Sequence, residues 1–276
     1  MITLLIVNYN NASQVVDYVD RVCGFPEINH ILIIDNASTD DSLTFLETIS
    51  SSKVEVVSSG KNGGYGYGNN FGIRYAAEIY HSDIVLISNA DVYYEQALIQ
   101  TLENYMRLKH VAVTAAVMTE PDGKNVYPWK VPSGWQYILD GVPILHRFVK
   151  SSDYQHDFFT TQEEAIEVEC VPGSLLMVNV ADFLEIDGYD EDIFLYCEET
   201  CLGYKLKSAQ KKTVLLTSSS YVHDHKRNSN QLLKQRKAIW DSRKIFIRKY
   251  YNFSNFDMLL ANLLEHFDLF IRAHRR

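Results

Sequence analysis

Long apolar runs are missing from this 276-residue chain. None approaches the roughly 18 residues that cross a bilayer, so no spanning helix is expected. Cysteine is scarce. Cys23, Cys170, Cys197 and Cys201 are the four, and no pair has CxxC spacing. That excludes a recognisable zinc framework and points to reduced thiols and a cytoplasmic setting. Met1–Asn10 holds no Lys or Arg ahead of its apolar run, so a secretory signal is not expected. Positive charge is sparse over residues 1–225, where 14 Lys and Arg face 31 Asp and Glu. An acidic body of this kind lacks the continuous basic face of a nucleic-acid binder. Internal repeats and low-complexity tracts are absent as well.

What is present is a chain 46% apolar and 22% charged, enough to bury a core and too apolar for wholesale disorder. The charge deficit reverses at the end. Residues 226–276 carry 12 Lys and Arg against 4 Asp and Glu, a net of +8 beside −17 for the rest. Such a tail either complements the acidic body or meets an anionic membrane surface.

The first 120 residues alternate strand and helix signals. Ile2–Val7, His30–Ile34, Val54–Val57 and Ile84–Ile87 are short apolar runs. Ser13–Val22, Asn69–Tyr80 and Glu95–Leu108 have helical spacing. Strands without polar alternation, separated by helices, predict an α/β fold with a parallel sheet buried on both faces. Ligands of such sheets sit beyond the carboxyl ends of the strands. Residues 119–165 hold Pro121, Pro128, Pro132 and Pro143 among Tyr127, Trp129, Trp135 and Tyr137. This stretch reads as an excursion or lid over the cleft. Strands are then expected at Glu167–Val171, Ser174–Val178 and Thr213–His223, and helices at Asp182–Asp187, Glu198–Ala209, Asn230–Tyr250 and Asp257–Ile271. The last would place Leu259, Leu260, Leu263, Leu264, Phe267, Phe270 and Ile271 on one face. Packing on the domain is its expected fate, with a membrane surface or a homodimer contact as alternatives.

Polar clusters fall at the expected strand ends: Asn8-Tyr9-Asn10-Asn11, Asp35-Asn36-Ala37-Ser38-Thr39-Asp40, Lys61-Asn62-Gly63-Gly64-Tyr65-Gly66 and Ser88-Asn89-Ala90-Asp91. Each alone is turn or cap chemistry; four in register build one cleft. The glycine-rich segment Asn62–Asn70 precedes a helix, where backbone amides suit phosphate, but it matches neither a Walker A loop nor a dinucleotide fingerprint. Asp91 at a strand end suits a divalent cation that in turn holds a diphosphate, or an N-cap near Glu95. Glu198 and Glu199 suit a general base and its partner, or a helix N-terminus. His223, in His223-Asp224-His225, suits a metal or phosphate contact, or is an inert surface side chain. Cys197 and Cys201 read as packing residues.

In order, Val7-Asn8-Tyr9-Asn10, Asp35–Asp40, Asn62-Gly63-Gly64-Tyr65-Gly66 with Asn70-Phe71-Gly72-Ile73, and Asn89-Ala90-Asp91 resemble the nucleotide-sugar half of family 2 glycosyltransferases. Pro172–Met177, Gly188-Tyr189-Asp190-Glu191, Phe194–Leu202 and His223 are similar to its acceptor half, and the whole most resembles its rhamnosyltransferase-like branch. The resemblance covers roughly residues 1–250. It implies a GT-A fold, Rossmann-like, with a mostly parallel central sheet flanked by helices. The nucleotide-sugar half would be 1–118 and the acceptor side 119–225, with a C-terminal helical extension at 226–276. It implies an inverting transferase using a nucleoside-diphosphate sugar, dTDP-rhamnose first and a UDP-hexose or UDP-N-acetylhexosamine next. The acceptor would be a saccharide, lipid-linked or free, in bacterial surface polysaccharide synthesis, with peripheral contact at the inner face of the cytoplasmic membrane.

By the same resemblance, Asn8, Tyr9, Asn10, Asp35, Asn36, Asn62, Gly63, Asn70 and Asn89 would line the donor pocket. Asp91 and His223 would hold Mg²⁺ or Mn²⁺, and Glu199, with Glu198 before it, would be the base. Three departures stand out. Asn89-Ala90-Asp91 has one acidic residue where the family's motif has two. Glu199 replaces the usual Asp. Cys201-Leu202 replaces Asp-Leu. The other readings are a degenerate sugar-nucleotide-binding relic and a nucleotidyltransferase. The latter normally needs a basic loop after the first strand, and Asn8–Gln14 has no Lys or Arg.

Overall fold

Four strands carry the first half: β1 (Ile2–Asn8), β2 (His30–Asp35), β3 (Val54–Ser58) and β4 (Ile84–Ser88). They are parallel, in the order β3-β2-β1-β4. The chain is represented by a computed structural model that describes residues 1–49, 51–142, 145, 154, 158–160, 163–225 and 232–274. Period-two alternation sends Leu4, Ile6, Ile31 and Ile33 into one apolar cluster, and Leu5, Leu32 and Ile34 into another on the opposite face. Both faces are covered, which is why these strands are apolar at nearly every position.

Helices α1 (Ala12–Val22), α2 (Ser42–Leu46) and α3 (Tyr65–Ile79) join these strands. α3 starts four residues earlier than its pattern predicts, so Gly66, Gly68 and Gly72 lie within it. A Cβ on Gly68 would come within 2.7 Å of Val7, and one on Gly72 within 2.3 Å of Leu5. Much of the glycine-rich segment therefore serves close helix–sheet packing, which offsets the poor helix propensity of glycine.

The second half adds β5 (Val92–Tyr93), α4 (Ala97–Lys109), β6 (Val113–Thr119), α5 (Gly134–Leu139), β7 (Ala165–Val168), β8 (Leu175–Asn179), α6 (Val180–Glu185), α7 (Glu198–Ser208) and β9 (Thr213–His223). β8 lies antiparallel between β4 and β6, and β9 runs parallel to β6. β5 and β7 pair antiparallel with the two ends of β9. Two reversals restore direction, so β1, β2, β4, β6 and β9 all end at one edge of the sheet. β5, β6, α2 and α5 are additional to the elements expected from sequence. The strand expected at 167–171 lies at Ala165–Val168, because Cys170 leaves it to pair backbone with Trp129.

The described part of the excursion does not form a free lid. α5 is set by a Ser133/Gln136 capping box, and Tyr137 donates to Cys197 Sγ at 2.9 Å. Helices α8 (Leu232–Tyr250) and α9 (Asn255–Ala273) close the chain. Residues 230 and 231 of the expected first helix lie outside the described residues. Trp240, Phe246, Ile247 and Phe253 form a third apolar cluster with Ile138, Ile193, Cys197 and Cys201. The apolar face of α9 packs on the domain only in part: Leu264 lies against the third cluster, and Leu260 and Ile271 are half-buried. Glu265 and Asp268 are buried, while Leu259, Leu263, Phe267 and Phe270 stay exposed.

Candidate functional site

The shared edge of the sheet gathers the polar strand ends. Asn8 and Asp35 stand side by side in the parallel register. Asn8 Nδ2 donates to Asp35 Oδ1 at 2.9 Å, and Ser38 donates its backbone N–H and its hydroxyl to the same carboxylate at 3.0 and 2.6 Å. Asp35 is buried and held by three donors. Asn36 donates to Asn62 Oδ1 and to the Gly64 carbonyl at 3.2 and 3.0 Å, and accepts from the Ser59 hydroxyl. Asn10 ties to Thr39, while Tyr9 is exposed at the rim. The asparagines thus knit the loop framework together, and Tyr9 and Asn10 are the members facing solvent. Asn70 is placed differently from the sequence reading. Its amide accepts from the Tyr189 N–H at 2.8 Å and donates to the Tyr189 carbonyl and Glu191, so it is a strut between α3 and the 188–191 turn.

Gly63 and Gly64 enter α3. Gly64 sits at φ 90°, ψ 179°, a conformation open essentially to glycine alone. A Cβ there would lie 2.0 Å from the Phe194 carbonyl oxygen, on the segment leading to α7. Gly64→Ala should therefore destabilise the protein by about 2–4 kcal/mol, a melting temperature lower by roughly 5–10 °C in calorimetry. An unchanged melting temperature would show that this approach carries no strain.

Asp91 lies in the turn between β4 and β5, and α1 holds that turn. Arg21 donates to the Ala90 and Val92 carbonyls at 3.2 and 3.0 Å, bracketing Asp91, and stacks over Tyr93. Tyr18 bonds Ser88 and Tyr94 beneath it. At the end of β9, His223 Nε2 lies 3.0 Å from Asp91 Oδ1, and two residues past the strand His225 Nδ1 lies 3.5 Å from Oδ2. Burial opposes the charge on Asp91, yet the His223 hydrogen bond and the two imidazoles outweigh it and hold the carboxyl below its usual range. One donor atom from each of the three residues lies within 4.8 Å of the others. Donors about 2.1 Å from one cation sit roughly 3.0–3.4 Å apart when adjacent, and the two Asp91–histidine pairs, at 3.0 and 3.5 Å, are close to that spacing. His225 is the residue that the sequence reading left out. The signal was there: in an extended chain His-x-His puts both rings on one face.

Glu198 and Glu199 open α7. The two residues before them, Tyr196 and Cys197, have φ of 65° and 91°, a strained left-handed pair of a kind that gathers at functional sites. Glu199 Oε1 accepts from the Gly173 N–H at 3.2 Å. A Cβ on Gly173 would be 2.6 Å from that oxygen, so glycine is required for the approach. Tyr65 donates to the Gly173 carbonyl at 2.7 Å, and Trp129 Nε1 donates to Thr200 at 3.1 Å. Two links tie this carboxylate to the metal-capable cluster. The Asn89 N–H donates to the Ser174 carbonyl at 2.8 Å, two residues from Asp91. The Tyr221 hydroxyl meets Ser174 Oγ at 2.8 Å, two residues from His223.

Burial pushes both glutamates up from the ordinary carboxyl range, and their proximity to each other adds to it for Glu198. Glu198 is buried, and its Oε1 has no hydrogen-bond partner. Below the unfolded glutamate value of about 4.3 the carboxyl is protonated in both states; as pH rises toward the elevated folded value, only the unfolded state ionises and stability falls. Glu198→Gln removes that loss and should raise the melting temperature by about 2–6 °C at neutral to mildly alkaline pH, with little change in acid. A lower melting temperature at neutral pH would mean that the ionised carboxylate is stabilised by the fold.

Residues 3–168 match the family model described as Glycosyl transferase family 2. The low-salt glycan biosynthesis hexosyltransferase Agl10 of Haloferax volcanii is 23% identical over 75% of this chain and 61% of its own length. The rhamnosyltransferase WbbL of Escherichia coli is 22% identical over 81% of this chain and 83% of its own. The N-acetylglucosaminyl-diphospho-decaprenol L-rhamnosyltransferase of Mycobacterium tuberculosis is 28% identical over 72% and 67%. Among solved structures, GalNAc-T7 with UDP, GalNAc and Mn²⁺ aligns at TM-score 0.61 and 15% identity, over 90% of this chain and 49% of that one. The mannosyltransferase PcManGT of Pyrobaculum calidifontis, with GDP-Man and Mn²⁺, aligns at 0.59 and 12%, over 97% and 70%. The chain spans about three fifths of the haloarchaeal relative and half of GalNAc-T7. The fold is GT-A, and the chain belongs to glycosyltransferase family 2.

Proposed function

We propose that this protein transfers a sugar from a nucleoside-diphosphate sugar to a saccharide acceptor by single displacement with inversion. The observation that carries the reading is the pairing, across Gly173-Ser174, of the Asp91–His223–His225 cluster with the half-buried Glu199. Both elements occupy the sheet edge where a doubly wound fold binds its ligand.

Asp91, His223 and His225 would hold the divalent cation. Two ring nitrogens beside one carboxylate favour Mn²⁺ over Mg²⁺, which prefers oxygen ligands. Such an ion stabilises negative charge on a leaving diphosphate. Tyr9 and Asn10 contact the nucleotide, on a framework of Asn8, Asp35, Asn36, Asn62 and Gly63, with Asn89 beside the cation. Glu199 takes the proton of the acceptor hydroxyl as its oxygen attacks the anomeric carbon; the bond from that carbon to the diphosphate oxygen breaks, and the nucleoside diphosphate leaves with the electron pair. The Gly173 N–H fixes which carboxylate oxygen is engaged and leaves the other for the acceptor. Burial makes Glu199 a stronger base than an exposed glutamate, so the rate should fall on acidification with its midpoint clearly above the ordinary glutamate value of about 4.3. A profile flat down to that value would exclude Glu199 as the base.

The names of the rhamnosyltransferase relatives support rhamnose as the transferred sugar, and so the dTDP-rhamnose expected from the sequence resemblance ahead of a UDP-hexose or UDP-N-acetylhexosamine. That of the mycobacterial relative supports a lipid-linked, diphosphate-bearing acceptor, which fits a place at the inner face of the cytoplasmic membrane in surface polysaccharide synthesis. The test is transfer itself. The protein is incubated with Mn²⁺, a panel of nucleoside-diphosphate sugars and a polyprenyl-diphosphate saccharide, and the product's anomeric configuration is read by NMR. Transfer with the anomer opposite to the donor's supports the reading. Donor binding without transfer to any acceptor would favour a relic that binds but does not turn over, and retention would exclude single displacement.

A further inference from the structure

α9 is amphipathic in the reverse sense. Its inner face, against α8, buries Ala261, Glu265 and Asp268. Asp268 accepts from Arg236 Nε, Trp240 Nε1 and Arg272 Nε at 2.7, 2.8 and 2.7 Å, and Glu265 pairs with Lys244 at 2.7 Å. The helix docks on α8 through these charges, with Ala261, Met258 and Leu264 against the third cluster, and its remaining large apolar residues face outward. Phe256, Leu259, Leu263, Phe267 and Phe270 are 45–67% exposed. Residues 256, 263 and 270 repeat every seven, with 259 and 267 between them, so they form one stripe about 21 Å long. A continuous exposed apolar stripe of this kind marks a binding surface.

We propose that this stripe seats the protein on an anionic lipid bilayer, with α9 lying in the headgroup region. Charge selects that occupant. The third acid of α9, Asp257, is held at the helix N-terminus by Ser254, and Glu265 and Asp268 turn inward, so the outward arc of the helix carries no carboxylate. Its titratable side chains are His266 and His274. On the neighbouring α8, Lys234 is exposed and Lys237 is exposed and paired with Asp241 at 3.3 Å, and the sequence from 226 to 276 is net +8. A second copy seated here would oppose two such segments, with no acid on the outward arc to pair with the other copy's cations, whereas paired helices use opposite charges there. An anionic bilayer supplies the missing charge, and an apolar face with basic surroundings is the pattern of helices that lie in the interface. No helix among the described residues is long and apolar enough to cross a membrane, so the contact is peripheral. Vesicle binding is read without donor or acceptor, so its outcome is independent of the transfer reaction.

The test is cosedimentation of the full chain with phosphatidylcholine vesicles, with and without phosphatidylglycerol. At low salt the partition coefficient should be about tenfold or more higher on the anionic vesicles, and it should fall as salt rises. Leu263→Asp with Phe267→Asp should lower it about tenfold or more while leaving the melting temperature unchanged, since both side chains are exposed. In a separate single variant, Phe270→Trp, emission should shift to the blue with anionic vesicles only. No partition and no shift on anionic vesicles would overturn the proposal. So would a dimer in sedimentation velocity that the paired aspartates dissociate while vesicles leave the wild type unbound; the stripe would then be an interface between two copies.

Discussion

Glu199→Gln should lower kcat by about a thousandfold while the donor dissociation constant stays within about a factor of two. The two side chains have the same shape, and the amide oxygen can still accept from the Gly173 N–H, so α7 and the cleft keep their geometry. What is lost is the capacity to take a proton. Glu199→Asp retains that capacity but retracts the carboxylate by one methylene from an anchor now 3.2 Å away, so a partial loss confined to kcat is expected. Gly173→Ala probes the same contact from the other side. Its new methyl group would press on Glu199 Oε1 and Cγ, displacing the base without touching the donor framework. If the glutamine variant kept a tenth or more of the wild-type rate, the proton would be leaving by another route and Glu198 would be the next candidate.

Asp91→Ala should weaken Mn²⁺ binding by about a hundredfold or more and lower kcat/KM by a comparable factor. This carboxylate is the one negative charge of the cluster, and both imidazoles are oriented by it, at 3.0 and 3.5 Å. On the proposed reading its removal would take away a ligand and the hydrogen-bond partner that orients His223. His225→Ala should cost less, about tenfold in Mn²⁺ affinity, because His225 is the more exposed ring and His223 still faces Asp91. Calorimetric titration with Mn²⁺ checks both. Equal losses for the two variants would mean that His225 contributes as much as the carboxylate, and no loss for His225→Ala would reduce the site to two residues.

The first four strands could be read from the sequence because both faces of the sheet are covered, so Leu4, Leu5 and Ile6 are apolar in succession. β6 could not. Its Ala115-Ala116 centre is small and weakly β-forming, and its place is fixed by pairing with β8 and β9, which lie far along the chain. The start of α3 was hidden by Gly66 and Gly68, whose presence answers to Tyr189 and Val7 across the interface and not to helix propensity. In the site, Asp91, His223 and the Glu198–Glu199 pair could be picked out by residue type and position. The asparagines were ambiguous, because turn framework and ligand contact need the same side chains. Asn36 and Asn70 prove to be bonded within the protein. The spacing of α9 revealed an amphipathic helix but not which face turns inward. That direction depends on Arg236 and Lys244 of α8, which draw Asp268 and Glu265 into the interface.

On the proposed function, this edge of the sheet binds a nucleoside-diphosphate sugar through a divalent cation, opposite a carboxylate base. Calorimetric titration of the full chain with dTDP-rhamnose and with UDP-sugars, in Mn²⁺ and again in a chelator, tests it most directly. Saturable binding of one nucleotide class in Mn²⁺ is expected, weakening about tenfold or more when the cation is withdrawn. Binding of equal strength with and without the cation, or no binding of any sugar nucleotide, would contradict it.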